Sequence, residues 1–353
     1  MAESMRPPSV SDVARRAGVS KATAARVLGG YGRVSAAIHA AVSAAAAEIG
    51  YRPNELARSM TTGRSDTIGI VVGDIANPFF AVAVHAMSQV LRAEGFGVLL
   101  ANSAESLAEE KAAIDTLLGR RVDGMIVSPA DMRESSHLRA IMDSGVPLVQ
   151  FDRCAAGLAV AGVTADDRDV AAEVTQMLIR RGHRRIAYFT ACETDSGRFS
   201  DLEEIGTGSV RERIAGFLTA GEGLEDTALE VVVGAVGAER AQSLATEVLA
   251  RGAEAPTAMI ASDSTIGLGL YTAARAAGIA IPQALSLVTF HDADWTAIAH
   301  PGITVISQPA RRLGEEAARM LIRQIQTGDG TCAHHVVPCR IISRGSVGDG
   351  PVS

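Results

Sequence analysis

The chain has 353 residues, 47% of them hydrophobic, enough for one small domain and two of medium size. No apolar run reaches membrane-spanning length, the N-terminus lacks the apolar core of a signal peptide, and four scattered cysteines (Cys154, Cys192, Cys332, Cys339) make no disulfide framework; the expected compartment is the cytoplasm. The net charge of −7 is divided: residues 1–60 hold eight basic against four acidic side chains, a net +4, which leaves −11 for the remainder. A basic head on an acidic body suits phosphate binding at one end and little non-specific adhesion elsewhere.

In chain order, the first predicted element is a helix from Val10 to Ala17. Ser9 is its cap, Asp12 its first-turn acid, and Val10, Val13, Ala14 and Ala17 share one face. Gly18 suits a left-handed helix end, and Val19 fills the angle before Ser20 caps a second helix. Ala24, Val27 and Leu28 form the buried face of that helix, leaving Lys21, Ala22, Thr23 and Arg26 outward near its start. Two short helices around a glycine turn make a helix-turn-helix, which presents its second helix to the major groove of DNA. A third helix runs from Ser35 through Ile49 and closes at Gly50, followed by the arginine-bearing stretch Tyr51–Met60.

From Asp66 onward, apolar strand runs alternate with helical patterns. The runs include Thr67–Val72, Gly97–Ala101, Gly124–Val127, Pro147–Phe151, Arg185–Thr190, Glu230–Val233, Ala258–Ala261 and Leu285–Phe290. The helices between them are Phe80–Glu94, Leu107–Arg120, Asp167–Arg181, Arg211–Ala220, Ala238–Arg251 and Gly267–Ala277. Short buried strands separated by helices predict doubly wound parallel sheets, and the count predicts two lobes with a break near Thr164–Asp166. Such sheets bind ligands at the carboxyl ends of their strands, so a cleft is expected between the lobes.

The patterns Asp12-Val13-Ala14 through Arg33-Val34-Ser35 and Gly50-Tyr51-Arg52-Pro53-Asn54 through Ser59 resemble the LacI/GalR family of bacterial regulators. So do Asn77–Phe80, Arg181–Ala187, Arg213–Phe217 and Pro338–Ser346, so the resemblance runs from Ser9 to about Ser346. It implies an all-α helix-turn-helix head on an α/β periplasmic-binding-protein-like body. The implied division is a DNA-binding domain over 1–50, a hinge helix and linker over 51–65, a two-lobed effector-binding and dimerisation domain over 66–346, and a tail over 347–353. Lobe 1 would take about 66–164 and 293–325, lobe 2 about 166–291 and 326–346, with crossings near 164, 292 and 325.

The resemblance also implies roles. Lys21, Ala22 and Arg26 match base-reading positions, Thr23 a backbone contact beside the capping Ser20, and Asn54, Ala57, Arg58 and Met60 the hinge helix that enters the minor groove. Met60 stands where a leucine wedge is usual, and a methionine can open a base step at a cost of roughly a few kcal/mol. Ala24-Ala25 replaces the usual Val-Ser, removing one hydroxyl-to-phosphate contact, and Ala22 offers a methyl but no bidentate base contact. In the cleft, Phe79, Phe80, Asp152 and Arg213 match effector-contacting positions. Ser262 stands for a frequent asparagine, Val236 for a stacking aromatic, and His291, beside Asp292, for a sugar-gripping aspartate. The segment Cys192–Gly208 is longer than usual and is expected at the cleft mouth.

The implied protein is a homodimeric repressor that binds a near-palindromic operator and responds to a small molecule of the sugar or sugar-derivative class. Two other readings stay open on residues alone: a sensory binding protein with a vestigial head, and an α/β enzyme carrying a DNA module. Gly267-Leu268-Gly269 lacks the full dinucleotide fingerprint, and no nucleophile elbow, P-loop or HExxH occurs, so no cofactor and no catalytic residue is expected. Cys332, His334, His335 and Cys339 fit no zinc spacing, and strand alternation would send the two histidines to opposite faces, so no metal is expected.

Overall fold

The computed structural model describes residues 8–29, 31–52, 63–328 and 330–351. These form two units, an N-terminal one ending at Asp66 and a larger one from Thr67.

In the first unit, α1 (Val10–Ala17), α2 (Lys21–Gly29) and α3 (Ala36–Glu48) enclose a core of Val13, Ala24, Val27 and Val42. Local chemistry sets each boundary. Ser9 and Asp12 form a reciprocal capping box, with the Ser9 amide donating to the Asp12 carboxylate at 2.9 Å. Gly18 ends α1 at φ 66°, where a side chain would be strained. Ser20 Oγ accepts from the Thr23 amide at 3.1 Å, and Ser35 Oγ from Ile38 at 3.4 Å. Arg16 pairs with Glu48, fastening α1 to the end of α3.

The second unit holds two sheets, each of six strands among the described residues. The first has the order β11 (His334–Val337), β5 (Ala161–Ala165), β4 (Leu148–Phe151), β3 (Gly124–Val127), β1 (Thr67–Val72), β2 (Gly97–Asn102), all parallel. The second has β12 (Arg340–Ile342), β10 (Thr304–Ser307), β9 (Ser286–Phe290), β8 (Ala258–Ala261), β6 (Arg185–Phe189), β7 (Ala228–Val232). Only its edge pairing of β12 with β10 is antiparallel. Central strands are buried throughout, as their continuous apolar runs require.

Helices cover both faces. They are α4 (Pro78–Ala93), α5 (Leu107–Gly119), α6 (Ser136–Asp143), α7 (Asp167–Arg180), α8 (Gly208–Thr219), α9 (Gly237–Leu249), α10 (Ser264–Ala276), α11 (Asp294–Ile298) and α12 (Ala310–Thr327). Three helix pairs among the described residues meet backbone to backbone, α9 with α10 at Gly269 and two others. A Cβ on Gly314 of α12 would lie 2.4 Å from the Ala83 carbonyl of α4, and one on Gly216 of α8 would lie 2.0 Å from the Arg168 carbonyl of α7.

The chain passes from the first sheet to the second between Ala165 and Asp167. The other two crossings differ from expectation. Residues 293–307 stay with the second lobe, because β10 pairs with β9, and the chain returns only after Ser307 instead of near 292. Residues 326–337 stay with the first lobe, because α12 packs on α4 and β11 pairs with β5; the last crossing follows Val337 instead of lying near 325. The strands that decide both crossings have three or four residues each.

Candidate functional site

On the head, the outward face of α2 carries Lys21, Ala22 and Arg26 exposed, Thr23 half-buried and Ser20 exposed at the cap, while Ala24 and Val27 are buried. Arg15 pairs with Asp12 at 2.6 Å and Arg16 with Glu48, whereas among the described residues Lys21 and Arg26 have no carboxylate partner. Lys21 and Arg26 therefore leave their charge on α2 available to a phosphate backbone. Asn54, Ala57, Arg58 and Met60 lie outside the described residues.

In the body, parallel strands deliver their carboxyl ends to the gap between the lobes. Ser128 follows β3, Asp152 β4, Asp167 β5, Ser262 β8, His291 β9 and Gln308 β10. Asp152 is buried at φ 66°, and its neighbour Arg153 organises the first lobe's side. Arg153 Nε donates to Asp152 Oδ2 at 3.1 Å and to Ser209 Oγ at 3.3 Å, while Nη1 and Nη2 hold Glu105 at 2.5 and 2.9 Å. The Arg153 guanidinium also lies 5.7 Å from the Phe80 ring centre. A Cβ at Gly73 would strike the Glu105 carboxylate at 2.1 Å, so a glycine there lets the acid lie over the backbone. Ser209 belongs to the second lobe, so this network bridges the cleft.

Arg213 organises the other side. Its Nε donates to Asp167 at 2.7 Å, its Nη1 to the Ser262 carbonyl at 3.0 Å, and its plane stacks on Phe290 at 4.4 Å. Burial lifts the Asp152 carboxyl to about 6, against the pull of Arg153. Burial likewise pushes Asp167 up, with Arg213 opposing it. Burial lowers His291, a residue held at φ 68°, with the Asp292 carboxylate opposing and Arg213 adding to the shift. Polar atoms of Ser128, Asp152, Tyr188 and Gln308 are buried without a protein partner. A cavity of about 270 Å³ opens beside Asp152, Arg153, Asp167, Ser209 and Glu212.

The sequence-expected residues divide. Asp152, Ser262 and His291 sit at strand ends, while Arg213 reaches over from α8, where the Ser262 carbonyl accepts from it. Phe79 and Phe80 open α4 behind Asn77, whose Oδ1 accepts from the Phe79 amide at 3.0 Å, and both rings pack on Phe151 inside the first lobe. Asp292 is committed to Arg344 at 2.7 Å. Val236 stands exposed at the start of α9. His334 bonds Thr164 at 3.0 Å while His335 approaches Glu316, and Cys332 Sγ donates to the Ala159 carbonyl. Arg153, Glu105, Ser128, Ser209 and Gln308 had not been singled out; the signal for Arg153 was an Asp-Arg pair directly after the apolar strand β4.

The segment 192–208 leaves the second lobe and touches the first. The Met132 amide donates to the Gly206 carbonyl at 2.8 Å, and Arg133 Nη1 to the Glu203 carbonyl at 2.9 Å.

Comparison with known proteins agrees with both units. Residues 9–54 match the family model for bacterial regulatory proteins of the lacI family, and residues 175–347 match a periplasmic binding protein-like domain. The HTH-type transcriptional regulator GalS of Salmonella typhimurium is 31% identical over 342 residues, covering 96% of each chain. The HTH-type transcriptional repressor PurR of Pectobacterium carotovorum is 31% identical over 352 residues, covering 97% of this chain and 98% of its own. A crystal structure of the lac repressor dimer bound to operator and the anti-inducer ONPF superposes with a TM-score of 0.82 at 23% identity, covering 97% of this chain and all of that one. The chain belongs to the LacI/GalR family of transcriptional regulators, with a helix-turn-helix DNA-binding head and a periplasmic-binding-protein-like effector domain.

Proposed function

We propose that the protein is a homodimeric, cytoplasmic repressor whose operator affinity is set by a polar, sugar-like molecule held between the lobes. The observation that carries the effector reading is the set of buried polar atoms without partners on Ser128, Asp152 and Gln308, all at strand ends facing the cleft. Leaving such groups unmade costs about 1–3 kcal/mol each, and a hydroxyl-rich ligand satisfies them.

On the head, Lys21, Ala22 and Arg26 read base edges while Ser20 and Thr23 contact the backbone, and Asn54, Ala57, Arg58 and Met60 supply the minor-groove hinge; the family resemblance and the exposed face of α2 support this assignment. Asp152, Arg153, Ser209, Arg213, Ser262 and His291 frame the effector, with Phe79, Phe80, Val236 and Asp292 in supporting places. A two-fold dimer presents two heads to two half-sites, and the lac repressor was seen as a dimer on its operator. Effector binding shifts the operator equilibrium only through unequal affinity for the two lobe arrangements.

Fluorescence anisotropy on an inverted-repeat duplex selected by the protein from a random pool, at several salt concentrations, tests this. Sequence-dependent binding with a steep salt slope, moved by a cleft ligand, is expected. Equal affinity for a scrambled duplex would remove the repressor reading.

A further inference from the structure

A second cavity, of about 510 Å³, opens between the lobes beside the ends of β9 and β10. Its ionisable lining is His291 and Asp292 from the second lobe with Arg311, Arg312 and Glu315 from the start of α12. Both acids are already engaged: Asp292 accepts from Arg344 at 2.7 Å and Glu315 from Arg319 at 3.1 Å. Among the described residues, Arg311 and Arg312 have neither an ion pair nor a hydrogen bond. Gln308, on the same wall, buries an amide Nε2 that has no acceptor. The wall thus holds two uncompensated guanidiniums, a buried donor and an imidazole.

That inventory selects for an acceptor-rich, negatively charged occupant, because charge-assisted bonds from guanidinium to carboxylate or phosphate are among the strongest available. His291 contributes an imidazole to this wall, where a carboxylate would repel an anion. The first amides of α12, which has no capping side chain, add positive potential.

We propose that this cavity is an anion subsite of the effector cleft, in which Arg311 and Arg312 clamp the carboxylate or phosphate of an acidic sugar derivative. The proposal rests on the reading of the cleft as an effector site and narrows the class of effector. The shared chemistry is a multi-oxygen anion, and the two sources are separated by experiment.

Full-length protein is titrated with inorganic phosphate at constant ionic strength, followed by ³¹P line width and thermal unfolding. Saturable binding is expected, weakened about fivefold or more in Arg311→Gln/Arg312→Gln and in His291→Asp. Acetate that competes with phosphate would mark the subsite as accepting carboxylates; acetate that does not would mark it as phosphate-selective. A response that never saturates, or that is unchanged in both variants, overturns the proposal. Operator anisotropy in parallel separates the two claims. Neutral sugars that shift operator affinity, without any phosphate binding, would remove the subsite and leave the effector reading. Saturable phosphate binding, with no sugar or sugar acid affecting the operator, would do the reverse.

Discussion

Ser209 of the second lobe donates its hydroxyl to Asp152 Oδ2 of the first at 3.4 Å, and Arg153 Nε reaches both groups. One hydroxyl therefore completes a polar circuit across the cleft. Its central acid is held at a cost, because the other oxygen of Asp152 has no partner.

That cost has a pH signature. Burial raises the Asp152 carboxyl from 3.8 to about 6. Well below pH 3.8 the acid is protonated in both folded and unfolded chains and nothing is lost. Between about pH 4 and 6 the unfolded chain has ionised this acid while the folded chain still holds its proton, so stability falls as pH rises, and the loss, on the order of 2–3 kcal/mol, is complete above 6. Asp152→Asn is expected to recover that amount at pH 7 and to be close to neutral at about pH 3, measured by urea unfolding of both proteins. An equal difference at the two pH values would contradict the assignment.

Arg26→Ala is expected to cost about 1–3 kcal/mol on the cognate operator and much less on a scrambled duplex, read by anisotropy at fixed salt. Equal losses on both would make Arg26 a phosphate contact.

Gly216→Ala should destabilise the second lobe by about 1–3 kcal/mol, since the added methyl meets the Arg168 carbonyl at 2.0 Å and α7 and α8 must separate. The unfolding midpoint in urea reports it, and an unchanged midpoint would mean the helices part freely.

Leu100 lies on β2, the edge strand of the first sheet, and is 44% exposed. A long apolar edge calls for a partner, and a second copy fits. Leu100→Lys is expected to raise the dimer dissociation constant about tenfold or more in sedimentation, equivalent to about 1.4 kcal/mol, with an unchanged monomer circular dichroism spectrum. An unaltered dimer would place the interface elsewhere.

The head was legible because its boundaries are local: Ser9 with Asp12, Gly18, Ser20 and Ser35 each act within three or four residues. The parallel sheets were legible through runs such as Ile68–Val72 that are buried on both faces. What escaped was non-local. The lobe to which β10, β11 and β12 belong depends on partners far along the chain, such as Gly162 for His334 and Val305 for Ile342. Arg153 is likewise explained only by Glu105, 48 residues away. Phe79 and Phe80 illustrate the converse: the motif was visible, but the packing of both rings on Phe151 was not.

The contact between Met132 and Gly206 joins the lobes through an amide and a carbonyl, atoms that every residue except proline supplies in full. Substitution along 193–205 therefore leaves this fastening chemically intact while the side chains around it change. A regulator of this design can acquire a new molecular palate at the entrance without rebuilding the clasp.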